Sequence, residues 1–369
     1  MATRLKIMLI SAILILCNFT SILNSQILGD SASLRLLKKG ISQVYNYQFS
    51  EARKSFNAVL KVYPNHPVKQ LSNAMIIYWE NYPLLAYSEI RKQFENDLLK
   101  CIEISETNYP PDEEEYLLVN LSARALLMRF YKDNNLIVPL FPLALTTYQY
   151  IARASNFTSH YRDFYFFTGL FSYYRKAYPE YYPGYASLAE RFPSGDRGKG
   201  LSQLQIAADS SQVLSAESMS VLSGIFVKFE NNYQMAEMYN KALFELYPAN
   251  PGFREEYIKD LLLTGKYDEA EKLIVASTPD ADNPFFRIQI NILTAILKEK
   301  KYNDYEQAEA LYSSGARDMT IFGVYGAEYG AYANFGLSRI SSAKNDQRDM
   351  RIYRKKANSL AVSKNVNFD

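Results

Sequence analysis

Four times along this chain an aromatic residue opens a helix-forming stretch and an alanine follows three residues later: Phe49 and Ala52, Tyr233 and Ala236, Tyr267 and Ala270, Tyr305 and Ala308. This recurrence constrains the fold more than any other feature. Self-similar helical segments bury their apolar faces against their neighbours rather than around one centre. The clearest copy is Thr264-Gly265-Lys266-Tyr267-Asp268-Glu269-Ala270. Gly265 ends a helix expected over 258–264, because glycine takes the left-handed backbone conformation without steric cost. Asp268 and Glu269 then lie at the positive end of the next helix. Ala270 is small enough for a partner helix to approach, and Tyr267 fills the wedge between the two.

The other copies keep the spacing. Gly40 precedes Phe49 by nine residues, with Phe56 and Pro64 beyond; Gly224 precedes Tyr233 by nine, and Pro248 closes the run YNKALFELYP. Tyr312 follows Ala308, and a fifth unit carries Gly336 and the run YRKKA ending at Ala357, with Arg348 near the usual small position. Together these units resemble the tetratricopeptide repeat family, whose unit is a helix–turn–helix of about 34 residues. The resemblance covers 33–64 and 217–361. It implies an all-α fold, antiparallel helix pairs stacked as a right-handed superhelix of about 15 helices with essentially no sheet. It also implies a concave surface that holds a peptide or a partner protein. The expected organisation is an N-terminal unit over 26–65, a divergent helical region over 66–215 and C-terminal units over 216–369.

Within the divergent region, Pro110 and Pro111 followed by Asp112 to Glu115 start a helix, with prolines in the first turn and acids at the positive end. Those acids read as a solvated helix start. Leu117, Leu118, Leu121, Ala125 and Met128 continue at helical spacing. Pro139 and Pro142 are expected to break the chain before a helix near 143–154, and another should run from about 158 to 177. Gly323, Gly326, Gly330 and Ala333 share a further predicted helix, where small residues admit a neighbouring helix. With only 15 Gly and 14 Pro, and no sustained alternation of apolar and polar residues, strands are not expected.

The first residues read as a secretory signal over 1–25. Arg4 and Lys6 form a basic start, Ile7 to Leu16 an apolar run, and a polar stretch follows, with cleavage expected between Ser25 and Gln26. The run is too short to span about 30 Å of hydrocarbon. A lipid anchor on Cys17 is disfavoured by the bulk of Leu16 before it. The chain is thus expected to be exported, periplasmic or associated with the cell envelope, where peripheral contact with an outer membrane is open to it. Removing Arg4 and Lys6 takes the 41 basic residues to 39, against 39 acidic ones. A neutral mature chain has no general attraction to nucleic acid. Cys101 is then the one remaining cysteine, so no internal disulfide is expected.

Aromatic residues are densest over 161–192, and among them Tyr165, Tyr173, Tyr174, Tyr178, Tyr181 and Tyr182 are candidate partner-binding residues. Rings on every side of a helix either fill a core between repeat blocks or line a pocket for a peptide, glycan or lipid. The segment from Phe192 to Gly200 adds Arg197 and Lys199, two cations before a helix start. These either hold an anion or belong to a turn in which Asp196 caps the helix and Arg197 pairs with an acid. No cofactor or metal is expected: His66 and His160 are the only histidines, and no zinc-binding or hydrolase motif is present. The expectation is an exported scaffold that binds a protein or peptide rather than an enzyme. A small-molecule or glycan binder using the aromatic block is the alternative.

Overall fold

The computed structural model describes residues 26–110, 113–183, 186–277, 283–362 and 366–369, and every regular element among them is helical. The expected signal segment, Cys17, Pro111, Asp112 and Tyr185 lie outside the described residues. Sixteen helices of ten residues or more follow one another in pairs. They are α1 (Ser31–Tyr45) with α2 (Phe49–Val62), α3 (Val68–Glu80) with α4 (Arg91–Thr107), and α5 (Glu114–Asp133) with α6 (Ile137–Ala154). Next come α7 (Phe164–Tyr181) with α8 (Arg197–Ser210), α9 (Ser215–Lys228) with α10 (Tyr233–Leu246), and α11 (Pro251–Leu263) with α12 (Tyr267–Ala276). The last pairs are α13 (Pro284–Tyr302) with α14 (Tyr305–Asp318), and α15 (Val324–Ala343) with α16 (Gln347–Leu360). Each helix packs on the helices before and after it in the chain. First helices of successive pairs also touch, α1 on α3, α3 on α5, α11 on α13 and α13 on α15.

One turn makes six of these pairs. Tyr47, Asn135, Asn231, Gly265, Asn303 and Asn345 all have φ between 51° and 75°, and each stands two residues before the second helix of its pair. At Gly265 the amide of Lys266 donates to Leu261 O at 2.8 Å and that of Gly265 to Leu262 O at 3.3 Å. The same two bonds recur after Val44, Lys132 and Ser342. This pattern satisfies the last carbonyls of the first helix and reverses the chain. Asparagine tolerates the left-handed conformation better than other side-chain-bearing residues, which explains its use at four of the six positions. Ala52, Ala236, Ala270 and Ala308 are all fully buried. The spacing read from the sequence therefore marks real helix crossings.

Several expectations need correction. Pro139 and Pro142 do not break the chain: α6 begins at Ile137 and contains both. Pro139 occupies a first-turn position whose N–H has no helical partner anyway, and Pro142 removes a bond to the carbonyl of Val138, a residue that is 88% exposed. The helix expected from about 158 starts only at Phe164, because Asp163 is otherwise engaged. Its buried carboxylate accepts from the amides of Gln212, Val213 and Leu214 at 2.8–3.0 Å and clamps the link between α8 and α9. Gly323 precedes α15 with φ +55 rather than lying inside it. Glu115 is not solvated. It is 2% exposed, accepts from the amides of Ile27 and Leu28, and lies 2.7 Å from His66 Nε2.

The early pairs also meet the late ones. Asn250 and Asn283 cap α11 and α13, their side-chain oxygens accepting from Phe253 N and Phe285 N. Their amide groups donate at 2.8 Å to Tyr45 O and Tyr82 O, at and just beyond the C-terminal ends of α1 and α3. Between these bonds Tyr82 stacks on Trp79 and on Phe286, with ring centroids 5.7 Å apart in both cases. Two ring–edge contacts continue the seam to Phe285 and Tyr325.

Candidate functional site

The aromatic block folds around one ring. Phe229, just past α9, is buried, and Tyr173, Tyr174, Tyr178 and Tyr181 surround it with centroids 4.9–6.0 Å away. The pair α7 and α8 crosses closely enough for this because Gly169 and Gly200 lie at the contact. A Cβ at Gly200 would strike the backbone of Tyr173. Polar tips are used internally: Tyr173 donates to Glu230, Tyr181 to Phe229 O, and Tyr182 to Val362 O at 2.7 Å. Tyr165 is half-buried, with the Arg162 guanidinium 5.7 Å from its ring centre.

The segment before α8 is a capped turn. Asp196 accepts from Lys199 N at 2.8 Å. Arg197 bonds Glu230 at 2.7 Å and Glu180 at 3.2 Å, and it lies over the Tyr173 ring. Lys199 is exposed at the same turn. The structure thus joins six of the eight candidate residues, Tyr173, Tyr174, Tyr178, Tyr181, Tyr182 and Arg197, into one packed neighbourhood, with Tyr165 and Lys199 at its margin. Their rings face one another more than they face outward.

A second cluster has a different character. Lys228 on α9 reaches Glu328 on α15 at 3.0 Å, although two helix pairs lie between them in the chain. The bond ties α9 directly to α15 across the C-terminal pairs, and the side carrying it is termed the inner side. Tyr332 donates to the other Glu328 oxygen at 2.6 Å, and Lys259 on α11 pairs with Glu256. Burial would raise the Glu328 carboxyl, but Lys228 and Lys259 override it and hold it at about 2. Side chains of Lys228 and Glu256 remain 31% and 41% exposed, so the cluster opens to solvent. At Gly224, one turn before Lys228, a Cβ would meet nothing within 4 Å.

Glu255 on α11 is 2% exposed and Tyr329 on α15 3%, and the two side chains pair with each other between the helices. Burial raises the Glu255 carboxyl well above the usual carboxylate range, and Glu256 adds to the effect. On α9, burial pushes the Glu217 carboxyl up to about 8. Sequence reading missed this cluster because its members are spread from 228 to 332. Nothing local distinguishes Lys228 or Glu328 from solvated charges.

No three or more His, Cys, Asp or Glu residues among those described are placed to hold a metal ion. Cys101 is buried, and burial pushes its thiol up to about 12, away from nucleophilic use. Two open depressions of about 360 and 400 Å³ lie on the N-terminal pairs, lined in part by His66 with Lys100 and by Arg53 with Glu80, and neither reaches the inner cluster. No described helix is long and apolar enough to cross a membrane. A scan against protein-family models finds no matching family, and searches of curated proteins and of solved structures find no match.

Proposed function

We propose that this chain is an exported binding protein of the tetratricopeptide type, whose inner face takes a protein or peptide partner in the cell envelope. The observation carrying the reading is the inner side of α9, α11 and α15, where accessible charges surround open space at Gly224. Stacked helix pairs present such a face by construction, and its long curved form suits an extended segment of another chain. The internal use of the tyrosine hydroxyls at Phe229 speaks against the aromatic block as a small-molecule pocket.

The test is capture from native envelope extract by the chain beginning at Gln26, beside a Gly224→Trp variant. A Cβ at this position meets nothing within 4 Å, so the larger side chain starts into open space. Its folding is checked by helical circular dichroism. A partner held by the parent and lost from Gly224→Trp supports the reading. A partner held equally by both moves the binding surface elsewhere, and no partner at all removes the scaffold reading.

A further inference from the structure

Helix α6 carries two apolar stripes, and the fold packs only one of them. At 3.6 residues per turn, Leu140, Leu143, Thr147, Ile151 and Ala154 fall on one side. Thr147 and Ala154 are buried there, and Leu140, Leu143 and Ile151 pack against the two large cores. Ile137, Val138, Phe141, Ala144, Leu145 and Tyr148 fall within about 120° of one another on a different side. None of these six belongs to any core of the chain. Val138 is 88% exposed and Ile137 53%, while Tyr148 meets the rings of Phe171 and Phe192 at 4.9 and 5.5 Å. The second stripe is therefore most open at the start of the helix.

Charge indicates what can cover it. Between Asp133 and Asp163 the chain has no acidic residue, and it carries Arg153 and Arg162. Their guanidinium groups lie over the rings of Tyr150 and Tyr165, 5.3 and 5.7 Å from the ring centres. Acids of the neighbouring α4 and α5 are engaged, Glu106 by Arg124, Glu114 by His160 and Asp133 by Lys132. A protein interface carries about one hydrogen bond per 100–200 Å². The open stripe offers one polar side-chain group, the Tyr148 hydroxyl, whereas acyl chains require none.

We propose that α6 is a membrane-contact helix, whose open stripe dips its Ile137–Val138 end into a lipid surface bearing anionic headgroups. An apolar stripe accompanied by basic residues alone is the arrangement that lays a helix in the interfacial layer of such a surface. The contact is shallow. Pro142 leaves the Val138 carbonyl without its helical donor, and that carbonyl needs water or a headgroup beside it. Insertion therefore stops at the boundary between headgroups and acyl chains. The inference makes no use of the Lys228–Glu328 cluster, and it stands whether or not the inner side binds a partner.

Vesicle flotation of the chain beginning at Gln26 tests this. One set of vesicles mixes phosphatidylglycerol and phosphatidylcholine in equal parts, and the other is phosphatidylcholine alone. The expected result is binding that favours the mixed vesicles and falls about tenfold or more in Val138→Asp, as for withdrawing one aliphatic side chain from an apolar phase. Val138 is so exposed that this variant keeps the parent's helical signal and melting point. Arg153→Gln combined with Arg162→Gln should weaken binding to the mixed vesicles several-fold. With brominated lipid, the fluorescence of Val138→Trp should be quenched beyond that of the parent, whose single Trp79 is buried. No binding to the mixed vesicles, or binding that Val138→Asp leaves intact, overturns the inference. Equal binding to both vesicles overturns the assignment to anionic lipid. Self-association in sedimentation velocity that Val138→Asp abolishes, without vesicle binding, gives the stripe to a second copy of the chain and overturns it as well.

Discussion

The tyrosine-rich block around Phe229 and the inner cluster around Glu328 are built on opposite terms. In the block, rings dominate, and the hydroxyls of Tyr173, Tyr181 and Tyr182 are bonded within the chain. In the cluster, charges dominate: Lys228 bonds Glu328 and Lys259 bonds Glu256, with side chains of Lys228 and Glu256 open to solvent. An abundance of aromatic residues therefore signals area to be buried, which the chain buries itself. The comparison moves the candidate surface from residues 161–192 to the inner side of α9–α15.

The sharpest way to break this contrast is Phe229→Ala. If the block is core, removing its central ring costs about 3–5 kcal/mol, read by urea denaturation. Tyr165→Ala at its edge should cost less than about 1 kcal/mol. Similar small losses in both would mean that the rings are not packed as a unit.

Next in size is a pH effect carried by buried carboxyls on α9 and α11. Glu217 has its folded carboxyl raised to about 8 from an ordinary 4.5, and Asp260 is raised to about 7 from 3.8, both chiefly by burial. The folded chain therefore keeps protons that the unfolded chain releases. Their stabilising contribution is complete below the ordinary carboxylate range and is lost as pH rises through 7 and 8. Glu217→Gln should flatten the fall in denaturation midpoint between pH 5 and pH 8.5. Glu328, held at about 2, works the other way, and its contribution disappears only in strong acid. An unchanged pH profile in Glu217→Gln would show that its carboxyl is hydrated.

A third test addresses the repeat itself. Ala270→Leu overpacks a fully buried crossing between α11 and α12 and should cost about 1–3 kcal/mol, measured as a lowered melting temperature. Smallest is Tyr182→Phe, which deletes one bond to Val362 O and should cost about 0.5–1.5 kcal/mol.

Local features of the fold were legible in the sequence, and distant ones were not. The aromatic residue and the alanine three positions on identify the second helix of four pairs because both act within one turn. The α5–α6 pair uses the same left-handed turn at Asn135, yet escaped notice because Ile137 and Leu140 stand where the other pairs have an aromatic and an alanine. Asn250-Pro251 and Asn283-Pro284, 33 residues apart, were a readable signal of capped helix starts. Their second role, holding the ends of α1 and α3, depends on partners some 200 positions away. The Lys228–Glu328 bridge spans 100 positions. It joins helices of pairs that are not neighbours in the chain, and no single unit carries a signal of it.

The most direct test of the account is a photo-crosslinking map. A benzophenone maleimide is placed on Gly224→Cys and, separately, on Tyr165→Cys, in the chain beginning at Gln26, where buried Cys101 is the only other thiol. Each labelled protein is irradiated in native envelope extract. The account predicts a discrete adduct from the Gly224→Cys position and none from Tyr165→Cys. An adduct from Tyr165→Cys alone would contradict it and return the binding surface to the aromatic block.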